Sequence, residues 1–406
     1  MKHYFFQVCP VEKIRLNVTQ VTFTGCSNIL RDSDGLAYSP PHWQTNEADH
    51  IVISWPVLYV SGTNVQTVTT FANHALSEAT VGGEFPLVIK GVVSGGGTSF
   101  SLWGTNADPY IMRDDCQVSA CADHALTPGT VDYFRPMTIH WYYGYANEPD
   151  YLDAGITTNH VYVTLRPPTN GVPLYHTLVH LACSRTGATT PADAAMNTWS
   201  FFPGPGNVTT WNGRVLRYYE SGIPWANDIT DVGGLLAAGN GQCNSWRELL
   251  EYAWAVNGIP CILAQADPTA ADGFLAKDWQ FGTPSLGGSF NYYLELNRQV
   301  VNGGVYASMV PSVIGDLVNS AGVAGQNSPT PAEKVFGVHY FEKLLLDNKY
   351  YDPSYGLTYT GDADFEGKAV KGYYVVIRPP SPSPGDPPPA IAVKPVGTVP
   401  AIHITP

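Results

Sequence analysis

Residues 241–260 read GQCNSWRELLEYAWAVNGIP, and within them Trp246, Leu249, Leu250, Ala253 and Trp254 recur at the i, i+3, i+4, i+7, i+8 spacing of an amphipathic helix. That spacing predicts a helix over 244–257, with Gly258 as its stop and Pro260 blocking continuation. Cys243 therefore stands at the helix N-terminus, behind the permissive backbone of Gly239-Asn240-Gly241. Unpaired N–H groups and the positive end of the helix dipole favour the thiolate form there, and the same N–H groups can hold an oxyanion. Gln242 and Asn244, which flank the cysteine, and Trp225 in the Gly- and Trp-rich loop before it are the candidates for holding the oxyanion or lining the substrate. By itself, a free cysteine at a helix start is by default a small buried apolar residue.

A cysteine nucleophile needs a base, and the base needs an orienting partner. Downstream lie Gly337-Val338-His339-Tyr340-Phe341-Glu342 and then Lys349-Tyr350-Tyr351-Asp352-Pro353-Ser354. Two apolar segments around a turn at Asp347-Asn348 form a hairpin pattern, and antiparallel pairing can bring His339 and Asp352 side by side. Cys243 is thus the candidate nucleophile, His339 the candidate base and Asp352 the candidate orienting acid.

At this point the chain resembles the transglutaminase-like superfamily over roughly residues 173–377. Gly241-Gln242-Cys243 matches that family's Gly-x-Cys at a helix start, and Gly258-Ile259-Pro260 its helix end. His339 matches its strand histidine, and Asp352-Pro353 its acidic third position. Two positions depart from the pattern. The family usually places Trp two residues after the histidine and Glu four after, where this chain has Phe341 and Lys343, with Glu342 one place early; its crosslinking members also follow the cysteine with Trp, where this chain has Asn244. The resemblance implies a papain-like α+β domain and a thioester-forming acyl transfer on amides. Hydrolysis as a peptidase or amidase acting on protein or peptide is the favoured outcome. A crosslinking or deamidating transglutaminase, an exported effector or toxin, and a catalytically inactive scaffold are the alternatives.

The N-terminal half has a different rhythm. Ile14, Leu16 and Val18, then Ile51 and Ile53, Ile139 and Trp141, and Val161, Val163 and Leu165 alternate with polar residues between Gly, Pro, Asn and Asp clusters. An all-β immunoglobulin-like sandwich is the expectation for 1–168, serving recognition or docking. Pro167 and Pro168 close the last strand. After them the period turns helical, with Thr190, Pro191 and Asp193 opening a second helix. The transglutaminase-like domain is expected over 169–378. From 379 the sequence PPSPSPGDPPP is a polyproline pattern, and 379–406 reads as a Pro-rich tail available to a docking partner.

Of 406 residues only 14% are charged, with Gly 40 and Pro 33, a composition suited to turn-rich β structure. The net charge of −13 and the lack of a basic stripe argue against nucleic acid. No apolar run is long enough for a membrane span, and the start of the numbered chain has no Sec-type signal, so the expected location is cytoplasmic or reached through a dedicated export machine. Seven cysteines at irregular spacing do not form a disulfide framework. Cys116, Cys121, Asp123 and His124 lack the second ligand pair of a zinc site, and no metal or cofactor is expected.

Overall fold

The computed structural model describes residues 16–46, 51–73, 87–95, 99–105, 115–145, 150–203, 208–218, 229–269, 273–276, 291–295, 300–301, 304–305, 309–313, 335–377, 390–395 and 402–405. The chain divides into two compact units. Met1–Arg31, Gly35–Ala194 and Val256–Gly258 make the first, and Asp32–Asp34, Ala195–Ala255 and Ile259–Pro406 the second. The sequence break at Pro167 and Pro168 lies inside the first unit.

The first unit is built on ten strands: β1 (Leu16–Thr24), β2 (His42–Asn46), β3 (Ile51–Ser54), β4 (Val57–Val60), β5 (Gln66–Asn73), β6 (Leu87–Ser94), β7 (Phe100–Thr105), β8 (Asp115–Ala122), β9 (Asp132–Tyr145) and β10 (Leu152–Thr164). They form one sheet in the order β3-β2-β1-β5-β8-β7-β6-β9-β10-β4. Only the β10–β4 pairing is parallel. The expected alternation is present, with β6 and β7 burying every second residue. The expected immunoglobulin-like sandwich is not: the ladder runs unbroken from β3 to β4, and the sheet curls into a half-barrel whose inner face buries one core. Val18, Phe71, Ile89, Leu102, Val118 and Trp141, from six strands, share one core. Across that interior, a Cβ built on Gly155 of β10 would lie 3.2 Å from Val18 Cγ1 of β1. The Tyr59 hydroxyl of β4 reaches Thr24 O at 3.0 Å and Gln66 O at 3.2 Å. Curvature this strong needs breaks in register, and bulges occur at Val18/Gln20, Asp153/Gly155 and Asn159/Val161. Gly155 sits at one of them with φ +105°, a conformation that side chains disfavour. Period-two alternation reports that one face is buried, not whether a second sheet or the same sheet bent round does the burying.

Helix α1 (His176–Cys183) belongs to this unit and packs on β10. The Tyr162 hydroxyl meets His176 Nε2 at 3.0 Å and His180 Nδ1 at 3.2 Å. Asn257 closes the far end, accepting from Leu165 N at 2.9 Å and donating to Ala182 O at 2.9 Å.

Helix α2 (Pro191–Trp199) spans the division between the units. Thr190 caps it as the sequence predicts, its hydroxyl oxygen accepting from Asp193 N at 3.1 Å. The second unit continues with β11 (Arg217–Tyr218), α3 (Val232–Ala238), β12 (Asn240–Gly241), α4 (Cys243–Val256), β13 (Cys261–Pro268) and β14 (Gly273–Ala276). Then come β15 (Asn291–Glu295), β16 (Val300–Val301), β17 (Gly304–Val305), β18 (Met309–Val313), β19 (Val335–Phe336), β20 (His339–Leu344), β21 (Tyr350–Asp352) and β22 (Leu357–Tyr359). Helix α5 (Asp362–Ala369), β23 (Val370–Ile377), β24 (Ala390–Pro395) and β25 (Ile402–Thr405) complete it.

The papain-like α+β domain is a second correction. This unit is dominated by strands: a five-stranded sheet β22-β21-β20-β13-β25, a four-stranded sheet β19-β14-β23-β24, and three two-stranded ladders. Among the described residues only α4, at 14 residues, is longer than α2 at 9. Strands of two to eight residues interrupted by Gly and Pro cannot be told from loops by periodicity, which is why the sequence overstates the helical share. The tail also returns to the fold. Residues 378–389, which hold the polyproline pattern, lie outside the described residues, but β24 pairs with β23 and β25 with β13. Ile402 and Ile404 are buried while His403 and Thr405 face out. No helix among the described residues is long and apolar enough to cross a membrane.

Candidate active site

Helix α4 is anchored by its apolar stripe: Trp246, Leu249, Leu250, Ala253 and Trp254 are all fully buried. Leu249 and Leu250 each contribute about 1.5–3 kcal/mol by burial. The two indoles also have acceptors, Trp246 Nε1 donating to Arg217 O at 3.3 Å and Trp254 Nε1 to Ala195 O at 3.1 Å. At the other end, Gln242 O accepts from Trp246 N at 3.1 Å and from the Ser245 hydroxyl at 2.8 Å, so Cys243 opens the helix. Gly241 is required by close approach, since a Cβ there would lie 2.2 Å from Ser245 Oγ. The segment before α3 pins this start: Gln242 N donates to Ile229 O at 3.2 Å, Asn244 Nδ2 to Thr230 O at 2.7 Å, and Val232 N to Glu248 Oε2 at 2.9 Å.

His339 begins β20 and is completely buried. Its ring meets Tyr355 edge-on at 5.1 Å and lies roughly parallel to Phe365 at 6.3 Å. On the neighbouring strand, Ala266 stands opposite His339 and Ala264 opposite Phe341, small residues that leave space for the rings. The hairpin to β21 turns through Asp347 and Asn348, the latter at φ +58°. It pairs Glu342 with Tyr351 and sets Asp352 beside the histidine. His339 Nε2 and Asp352 Oδ2 are 2.8 Å apart, both side chains fully buried. Three further donors converge on Asp352: the Tyr359 hydroxyl on Oδ2 at 3.0 Å, and the amides of Ser354 and Tyr355 on Oδ1 at 3.0 and 3.2 Å.

With Nε2 engaged, Nδ1 is the ring nitrogen left for the sulfur, and Cys243 lies near enough to contribute to the imidazole's raised pKa. Burial works to lower the imidazole pKa. Against it stand the charge and hydrogen bond of Asp352, and after them Cys243, and the balance pushes His339 up to about 10. The raised pKa favours the protonated imidazole, beside the half-buried Cys243.

The structure thus brings Cys243, His339 and Asp352 together. Gln242 and Asn244 adjoin them, but the Gln242 amide is committed to Ile229, and the Asn244 side chain donates to Thr230 and accepts from Arg247 Nε at 2.9 Å. Trp225 lies outside the described residues. Three side chains escape the sequence reading. Tyr359 steadies Asp352, and Arg247 on α4 meets Glu342 on β20 at 3.0 Å. The displaced glutamate at position 342 was the one local sign of the last pair. Cys116 and Cys121 lie on β8, one buried and one exposed. Asp123 and His124 pair with each other at 2.7 Å, and among the described residues no cluster of three or more metal-ligating side chains occurs. Comparison of the sequence with protein-family models and with curated proteins gives no match.

Proposed function

We propose that this chain is a cysteine-dependent acyl-transfer enzyme acting on amide bonds of proteins or peptides, related to the transglutaminase-like superfamily and working mainly in the hydrolytic direction. The observation that carries this reading is the buried relay in which Asp352 engages His339 Nε2 at 2.8 Å and Cys243 acts on the same ring. In the reaction, Cys243 Sγ attacks the amide carbon and the carbonyl oxygen gathers negative charge. First-turn N–H groups of α4, which have no intrahelical acceptor, support that charge. The proton on His339 passes to the leaving nitrogen as the C–N bond breaks, leaving a thioester. Water then attacks the thioester while His339 takes its proton, and the acid departs as the C–S bond breaks and the thiolate, paired with protonated His339, is regenerated. An amine in place of water would yield a new amide.

The test is mass spectrometry of protein and peptide substrates incubated with the wild type and with Cys243→Ala, each with and without an added primary amine. The expected outcome is hydrolysis that falls about a thousandfold or more in Cys243→Ala. Amine uptake in place of hydrolysis reassigns the acceptor and keeps the thioester. Product that forms equally in Cys243→Ala overturns the reading.

A further inference from the structure

We propose that Arg247 and Glu342 form a positioning clamp that sets the nucleophile helix against the strand carrying the base, an inference that rests on the acyl-transfer reading. Arg247 follows Cys243 by one helical turn, and Glu342 follows His339 along β20. Arg247 NH1 meets Glu342 Oε1 at 3.0 Å, with Glu342 fully buried and Arg247 nearly so. The guanidinium is held on its own helix by Asn244, by Glu248 at 3.1 Å and by Glu251. Because Asn244 in turn bonds Thr230, one chain of polar contacts runs from the loop beside the nucleophile to the strand of the base. Cys261 of β13 lies close to the same glutamate: burial, then the charge of Glu342, pushes its thiol pKa up.

A buried ion pair is weak evidence for stability, because desolvation offsets its attraction. What it supplies here is direction: apolar contacts alone would let α4 slide along the sheet, whereas this bond fixes its offset. Burial, then the charge of Glu251, raises the Glu342 carboxyl to about 8 against the pull of Arg247. Glu342 Oε1 accepts the Arg247 hydrogen bond in either protonation state, so glutamine is the conservative replacement. Neither side chain is placed to touch the reacting atoms, which makes them positioning residues.

The test is the rate of Cys243 alkylation by iodoacetamide at pH 6, read by peptide mass spectrometry, with the exposed Cys121 as internal reference. Glu342→Leu, Glu342→Gln, Arg247→Met and His339→Ala are compared, each with its circular dichroism spectrum. A misplacement of about 1 Å costs about a hundredfold in a reaction that depends on geometry, so Glu342→Leu and Arg247→Met are expected to slow Cys243 by about 10- to 100-fold with Cys121 unchanged. Glu342→Gln is expected to recover nearly the wild-type rate. A wild-type rate in folded Glu342→Leu, or a Glu342→Gln variant as slow as Glu342→Leu, overturns the clamp. Should Glu342→Leu fail to fold, Glu342→Asp, which shortens the reach by one methylene, takes its place with the same two outcomes. If His339→Ala slows Cys243 and Glu342→Leu does not, the clamp alone falls. If His339→Ala also leaves it unchanged, the acyl-transfer reading falls with it.

Discussion

Asp352 gathers four hydrogen-bond donors, and only one of them is the histidine it orients. The two amides come from its own turn, so they persist in any variant that keeps the Asp-Pro-Ser backbone; Tyr359 comes from the next strand and can be removed alone. Tyr359→Phe should cost about 1.5–3 kcal/mol, the value of a hydrogen bond to a charged partner, in a urea titration, and should lower turnover by loosening the carboxylate. The His339–Asp352 pair also makes a pH prediction, clearest in a Cys243→Ala background that removes the thiol from the proton balance. A histidine whose folded pKa is raised above its ordinary 6.5 contributes stability that is fully present below 6.5 and is lost as pH rises through the folded value. Between pH 6.5 and 8.5 the unfolding free energy of Cys243→Ala should fall by up to about 1.4 kcal/mol per pH unit more steeply than that of Cys243→Ala/Asp352→Asn. Equal slopes would mean that Asp352 does not hold the proton on His339.

Elements show the same logic at their ends. The start of α4 depends on Gly241, because Ser245 occupies the space a side chain would need. Gly241→Ala should displace Ser245 Oγ from Gln242 O, cost about 1–3 kcal/mol, and slow alkylation of Cys243 more than that of Cys121. In the first unit, α1 is docked through His176 and His180 on the Tyr162 hydroxyl. Burial first, then His180 and His160 for His176, and Arg135 and His160 for His180, lower the two rings to about 3 and about 4. The sign is opposite to that of His339. Groups held neutral in the fold take up protons on unfolding, so their contribution is present above pH 6.5 and is lost as pH falls toward 4. Thermal unfolding of a His176→Gln/His180→Gln variant should therefore show a shallower acid decline than the wild type. A parallel decline would place acid sensitivity elsewhere.

Across the whole molecule, the last strand matters more than its position at the end of a proline-rich segment suggests. In the five-stranded sheet Ala266 of β13 has His339 on one side and Ile404 on the other, so β25 borders the row that holds His339. Ending the chain at Pro395 removes two buried isoleucines, each contributing about 1.5–3 kcal/mol. The truncated protein should lose several kcal/mol in denaturant unfolding and with it the selective reactivity of Cys243. Unchanged unfolding would mean that β25 contributes no packing.

Helix α4 was legible from the sequence because its signal is local: an apolar spacing of 3.6 and a Gly-Ile-Pro stop predict 244–257, and the helix runs Cys243–Val256. The same holds for the His339 hairpin, whose turn at Asp347-Asn348 and flanking apolar residues are all within reach of one another along the chain. Curling of the ten strands into one half-barrel sheet, the return of β25, and the meetings of Tyr359 with Asp352 and of Arg247 with Glu342 were not legible, and tertiary structure alone decided them. Alternation and amphipathicity state that a face must leave water, which the chain's own periodicity determines. Which partner covers that face is settled by bulges, register and packing between residues far apart in sequence, and no local pattern encodes those contacts.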